Sequence, residues 1–167
     1  MKMPVTLRYP FTELEAPPEY RGLPHIDPKL CIGCGACVNA CPPDAILRID
    51  DYDRGTRKIV LDIGRCIRCA RCEEVCPTGA IRLTNLFEAA SPDRRDHIQV
   101  VELRLVRCKV CGNYTDFTER QVKKALQILP KEILEEEALE EKVFMCRNCR
   151  RKGTVDATIN ATKEVVL

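Results

Sequence analysis

The sequence predicts an α+β chain: a pseudo-twofold repeat of small strands and short helices, followed by a C-terminal appendage with helices and four further cysteines. Three observations lead there. Twelve cysteines in 167 residues fall in tight clusters rather than singly. An offset of 35 residues relates Asp27 to Asp62, Cys31-Ile32 to Cys66-Ile67, Cys41-Pro42 to Cys76-Pro77 and Ala45-Ile46 to Ala80-Ile81, and a fixed period marks a repeated structural unit. Aromatic residues are only 4 Tyr and 4 Phe, with no Trp, so a core of Val, Ile, Leu and Ala must be completed by something else that occupies space.

Taken in order, residues 1–24 hold five of the 11 prolines and read as an irregular docking arm. Residues 25–84 form the repeat, each half a strand, a cysteine loop with a short helix, then a strand. Ala45–Ile49 and Ala80–Leu83 follow proline-containing turns as apolar strands, and Ile59-Val60-Leu61 supplies another before the second loop. Asp50-Asp51-Tyr52-Asp53-Arg54-Gly55 is turn-rich and predicts a hairpin. Residues 85–97, which include Ser91-Pro92-Asp93-Arg94-Arg95-Asp96, have linker composition. In residues 98–167, Gln99–Leu105 reads as a strand leading into Cys108. Thr118 with Gln121 makes a capping box for a helix through Leu129, and Pro130 starts a second helix to about Lys142.

The chemistry lies in a motif present twice: Cys31-x2-Cys34-x2-Cys37-x3-Cys41-Pro42 and Cys66-x2-Cys69-x2-Cys72-x3-Cys76-Pro77. This is the spacing of a bacterial-type pair of 4Fe-4S clusters: three thiolates wrap one cubane and the fourth reaches the other. Cluster A then takes Cys31, Cys34, Cys37 and Cys76, and cluster B takes Cys66, Cys69, Cys72 and Cys41. Gly33 and Gly35 let the backbone pass close to cluster A. They do not make a dinucleotide loop, because the third glycine and the strand-then-helix context are missing. Arg65, Arg68 and Arg71 surround the second loop, whereas only Lys29 lies near the first in sequence. The expectation is a higher potential for cluster B and a partner-facing position; the alternative is that these arginines hold partner carboxylates.

Cys108-x2-Cys111-Gly112 and Cys146-x2-Cys149 form two knuckles that suit one tetrahedral four-thiolate site. Zinc is the first choice, giving a zinc-ribbon-like appendage, with a rubredoxin-like single iron or another cluster as alternatives. The acidic run Glu135-Glu136-Glu137, with Glu140-Glu141, reads as a solvated helix face. His25 and His97 fall in loop-like settings and are not read as ligands, and no nucleophile–base constellation is recognisable. The first ten residues lack the apolar stretch of a secretory signal, so clustered cysteines point to metal rather than disulfides. A net charge of +2 argues against nucleic acid, and no apolar run reaches the ~18 residues of a membrane span.

Arg21-Gly22, the run at 31–42, the run at 66–77 and the two later knuckles together resemble the two-cluster (2x 4Fe-4S) ferredoxin-type subunits of group 4 membrane-bound NiFe hydrogenase and formate hydrogenlyase complexes. These are related to the ferredoxin-like subunit of respiratory complex I. The resemblance implies a two-4Fe-4S ferredoxin fold and electron relay inside a multisubunit oxidoreductase, without a catalytic site on this chain. Its partners would be the other subunits, including the catalytic small and large subunits, and a donor such as ferredoxin or a donor-oxidising subunit. It would sit on the cytoplasmic side, peripheral to the membrane through those partners. A free polyferredoxin, a subunit of a related sulfur-reducing membrane complex, and an oxidant-sensing module are the alternatives.

Overall fold

The computed structural model describes residues 6, 8–12, 14–130, 133 and 139–165. The repeat opens with β1 (Pro24–Ile26), the first cysteine loop and a one-turn helix α1 (Ala36–Asn39), then β2 (Ile46–Asp51). The second half runs through β3 (Thr56–Asp62), a 3-10 turn (Ile63–Arg65), α2 (Arg71–Glu74) and β4 (Ile81–Leu83). A 3-10 turn at Arg94–His97 leads to β5 (Ile98–Arg107), β6 (Tyr114–Thr118) and α3 (Glu119–Ile128), then α4 (Leu139–Val143) and α5 (Arg147–Val165).

Two antiparallel sheets organise these elements: β1 pairs with β4, and a four-stranded sheet has the order β2-β3-β5-β6. The β2–β3 hairpin closes as its composition requires, the Asp51 carboxylate accepting from the N–H groups of Asp53 and Arg54. Alternation along β3 turns Arg57, Ile59 and Leu61 inward. Ile59 and Leu61 meet Val101 and Leu103 of β5, and with Ile26, Ile46, Ala80, Ile81, Cys31 and Cys72 form one core. Cys37, Cys41 and Cys76 pack against its edge, so the core and the cysteine cages are interleaved.

Several sequence expectations need adjusting. The strand that opens the fourth region runs in register with β3 from Thr56↔Arg104 to Asp62↔Ile98, so the sheet crosses the 97/98 boundary. Without Val101 and Leu103 the short repeat strands would leave one face uncovered. His25 lies in β1 opposite Arg82, not in a loop. The helix expected from Pro130 to about Lys142 is seen at α4; residues 131–132 and 134–138, with the acidic run at 135–137, lie outside the described residues. Helix α5 was not foreseen, because Gly153 and its Thr and Val residues are weak helix formers. Among the described residues no helix is long and apolar enough to cross a membrane.

Candidate metal centres

The structure gathers the cysteines in crossed sets. One pocket is lined by Cys31, Cys34 and Cys37 of the first loop and by Cys76 of the second run. A second is lined by Cys66, Cys69 and Cys72 with Cys41. Apolar side chains complete both: Ile26, Ile59 and Ile81 around the first, Ile46, Leu61 and Leu83 around the second. The loops are built alike. Gly33 (φ 71) and Gly35 (φ 81) are matched 35 residues later by Arg68 (φ 56) and Ala70 (φ 67), all left-handed. The second loop holds this shape with side chains attached, at about 1–2 kcal/mol per residue.

The cages carry the marks of cation sites. Burial pushes the Cys37 thiol up to about 12, and the neighbouring thiols of Cys31, Cys34, Cys76 and Cys72 add to it. Burial likewise pushes Cys72 up to about 11, with Cys66 and Cys41 contributing repulsion. Thiolates packed this closely away from water need a bound cation, and binding one expels the protons. Backbone donors already face the sulfurs: Ala45 N–H donates to Cys41 Sγ (3.3 Å), Ala80 N–H to Cys76 Sγ (3.2 Å) and Arg68 N–H to Cys66 Sγ (3.3 Å). The Thr78 hydroxyl lies 3.7 Å from Cys76 Sγ. Burial raises the Cys76 thiol, but the surrounding donors outweigh it and the net direction is down. Four thiols per cage, a dry wall and amides aimed at sulfur fit a cubane.

The last four cysteines form a different centre. The Sγ atoms of Cys108, Cys111, Cys146 and Cys149 all lie within 4.8 Å of one another, and Cys111 and Cys146 are 3.7 Å apart. Four thiolates about 2.3 Å from one ion would be about 3.8 Å apart, so this set fits a single metal ion. The first knuckle sits between β5 and β6, and the second opens α5. Cys146 N–H donates to Cys108 Sγ (3.2 Å) and Cys149 N–H to Cys146 Sγ (3.4 Å). Burial opposes charge on Cys108, yet N–H groups of Cys111, Cys146 and Val110 bring it down to about 6. Its hydrogen bonds with Cys146 and Cys111 push Cys149 up to about 12.

Sequence reasoning missed the residues that hold the first loop. Arg57, 1% exposed, makes a two-toothed ion pair with Asp50 (2.6 and 3.0 Å) and donates to the carbonyls of Gly33 and Asp116 (2.9 Å each). Thr118 Oγ1 donates to Ile32 O (2.6 Å), and Arg120 donates to the carbonyls of Cys31 (3.1 Å) and Pro28. Arg57 could have been flagged: it occupies the inward phase of a strand whose next inward residues are Ile59 and Leu61. Thr118 and Arg120 carried no such signal, being 86 and 89 residues from their partners. The first loop therefore has Arg57 and Arg120 against it, not Lys29 alone.

Residues 30–80 match the 4Fe-4S dicluster domain family. NAD(P)H-quinone oxidoreductase subunit I of Spinacia oleracea chloroplasts is 34% identical over 120 residues, covering 68% of this chain and 71% of that one. The chain belongs to this subunit family. Formate hydrogenlyase subunit 6 of Escherichia coli K12 is 42% identical over 107 residues, 64% of this chain and 59% of the relative. The chain thus spans about 59% of that relative's length. A solved structure of the membrane-bound sulfane sulfur reductase, an archaeal respiratory complex, matches with a TM-score of 0.45 at 35% identity, covering 57% of this chain and 52% of that one. Within this two-cluster subunit, the second loop is the open one: Ile67 is 62% exposed, whereas Cys31, Gly33 and Gly35 of the first loop are buried.

Proposed function

We propose that the chain relays electrons through two 4Fe-4S clusters within a multisubunit, membrane-associated oxidoreductase of the hydrogenase, formate hydrogenlyase or complex I-like kind. The observation that carries this reading is the crossed pair of four-thiol cages, Cys31, Cys34, Cys37 and Cys76 against Cys66, Cys69, Cys72 and Cys41. Bound clusters supply one-electron chemistry. The protein's own part is to present thiolates, exclude water with Ile26, Ile46, Ile59 and Ile81, and aim amides at the sulfurs.

We assign one zinc ion to Cys108, Cys111, Cys146 and Cys149 in a zinc-ribbon-like appendage, since four thiolates around a redox-silent ion make a staple. The working division is a docking arm at 1–24, a two-cluster ferredoxin domain at 25–84, a linker at 85–97 and the metal-binding appendage at 98–167. Its partners in this reading are the catalytic small and large subunits and a donor such as ferredoxin, with the chain on the cytoplasmic side and peripheral to the membrane through them.

Serine at Cys41 tests the ligand assignment. Electron paramagnetic resonance of Cys41→Ser should show cluster B damaged and cluster A intact, and Cys76→Ser the reverse; damage to cluster A by Cys41→Ser would overturn the crossing. Native purification tests the setting, because recovery of a cluster-loaded monomer alone would favour a freely diffusing polyferredoxin.

A further inference from the structure

We infer that the four-cysteine centre governs cluster A, by holding β6 and the first turn of α3 as a clamp on the first cysteine loop. The inference rests on the reading that both centres hold metal. Three successive loop carbonyls are seized from outside: Cys31 O by Arg120 (3.1 Å), Ile32 O by Thr118 (2.6 Å) and Gly33 O by Arg57 (2.9 Å). Arg57 is itself tied to β6 through the Asp116 carbonyl (2.9 Å) and to α3 through Gln121 (3.3 Å). In a trans peptide the N–H points opposite to the C=O. Fixing these carbonyls outward therefore fixes the following amides toward the cage. The Gly33 N–H is one of them, since it belongs to the peptide whose carbonyl, Ile32 O, Thr118 holds. Hydrogen bonds to cluster sulfur raise the potential by favouring the more negative, reduced state.

What holds the clamp is the knuckle. The register of β5 with β6 has only the pairs Leu105↔Thr118 and Arg107↔Tyr114, with an irregularity between them. Beyond it, Cys108 N–H donates to Asn113 O (2.8 Å) and Gly112 N–H to Cys108 O (3.0 Å), and Lys109 N–H reaches Phe144 O (3.1 Å) on the far side of the centre. A strand so sparsely laddered depends on the tie between Cys108 and Cys111 on one side and Cys146 and Cys149 on the other. The second cysteine loop projects into solvent with Arg65, Ile67 and Arg71 exposed, so the coupling is to cluster A.

The test uses the full chain loaded with clusters, compared with Cys146→Ala and with Thr118→Val. Metal analysis, redox-titrated paramagnetic resonance and amide exchange of residues 32–34 are the readouts. Cys146→Ala should lose one equivalent of zinc, lower the midpoint of cluster A, leave cluster B where it was, and speed exchange at 32–34 at least about tenfold. Thr118→Val should keep the zinc and reproduce the cluster A effects, with Thr118→Ser restoring the parent values. Zinc loss with an unchanged cluster A overturns the inference, as do equal shifts of both clusters. Should Cys146→Ala fail to fold, Thr118→Val decides: unchanged exchange and midpoint there overturn the clamp. Absence of metal from the four-cysteine site in the parent chain would defeat the metal reading itself, which metal analysis shows separately.

Discussion

Alanine at Gly33 should release cluster A much faster than alanine at Gly35, although both glycines are left-handed in the same loop. The backbone strain is shared, about 1–2 kcal/mol at φ 71 and φ 81. It is also tolerable, since the repeat partners Arg68 and Ala70 adopt the same conformation with side chains. Packing is what separates them. A methyl group at Gly33 would lie 2.5 Å from Leu103 Cδ1, 3.2 Å from Thr118 Cγ2 and 3.3 Å from Arg57 Cδ. At Gly35 the nearest atom is Arg48 Nη1 at 3.4 Å, the end of a flexible side chain. Leu103 is 4% exposed within the core, so relief at Gly33 must move β5 or the clamp, an overpacking penalty of about 1–3 kcal/mol. That difference corresponds to about 5- to 150-fold. The rate at which a chelator bleaches the cluster A signal measures it. Equal bleaching rates for Gly33→Ala and Gly35→Ala would refute the packing argument.

Three further outcomes are expected. Arg57→Met should destabilise the chain by up to about 3 kcal/mol, because it leaves the Asp50 carboxylate only the half-exposed Arg48 (3.4 Å) as a partner, and Arg57→Met with Asp50→Leu should recover most of that; thermal loss of visible absorbance at matched cluster load compares the two. Metal analysis of the native protein should return about eight irons and one zinc per chain, and a chelator should remove the zinc before the iron if the exposed Cys111 is its point of attack. Asp62 bonds Arg94 (3.0 Å) and caps the 3-10 turn before Cys66, and its carboxyl is held below the ordinary value first by Arg94. A depressed carboxyl contributes stability above its unfolded pKa, near 3.9, that is lost as pH falls through the folded value; Arg94→Ala should shrink that acid branch, worth at most about 1 kcal/mol at this surface pair, and leave the part owed to the Gly64 N–H.

Legibility followed sequence distance. The hairpin at 50–55, the strands after each proline turn and the Thr118–Gln121 capping box were readable because each is decided within a few residues, and the capping box is present with both of its hydrogen bonds. The crossed ligand sets, still a proposal for Cys41→Ser to test, are suggested by sequence for another reason: a repeated spacing can encode a long-range arrangement twice over. What the sequence hid was contact between distant segments. Nothing local marks β5 as the partner of β3, or Thr118 and Arg120 as donors to the first loop. Nor did glycine content reveal loop geometry, since Arg68 and Ala70 adopt it unaided.

The same lesson bears on which cluster has the higher potential. Arginines near in sequence favoured cluster B, but Arg71 is paired with Glu74 (3.1 Å) and Arg68 bonds the Tyr20 hydroxyl (3.1 Å). Around cluster A, Arg57 is neutralised by Asp50, while Arg120 stands at the Cys31 carbonyl with its charge favouring the Cys31 thiolate. Counting charges then barely separates the sites, with Arg65 and Arg68 left at cluster B and Arg120 at cluster A. Solvent does, because reduction adds a negative charge, and water stabilises that charge better at the open loop of Ile67 than beneath the clamp. The Thr78 hydroxyl beside Cys76 Sγ, and the Gly33 amide that the proposed clamp aims at the cage, work the other way, toward cluster A. Exposure acts on the whole cubane and each donor on one sulfur, so cluster B is expected to keep the higher midpoint, by a margin that Thr78→Val should widen. Redox titration of single-cluster variants decides it, and a cluster B midpoint at or below that of cluster A would show that the donors win.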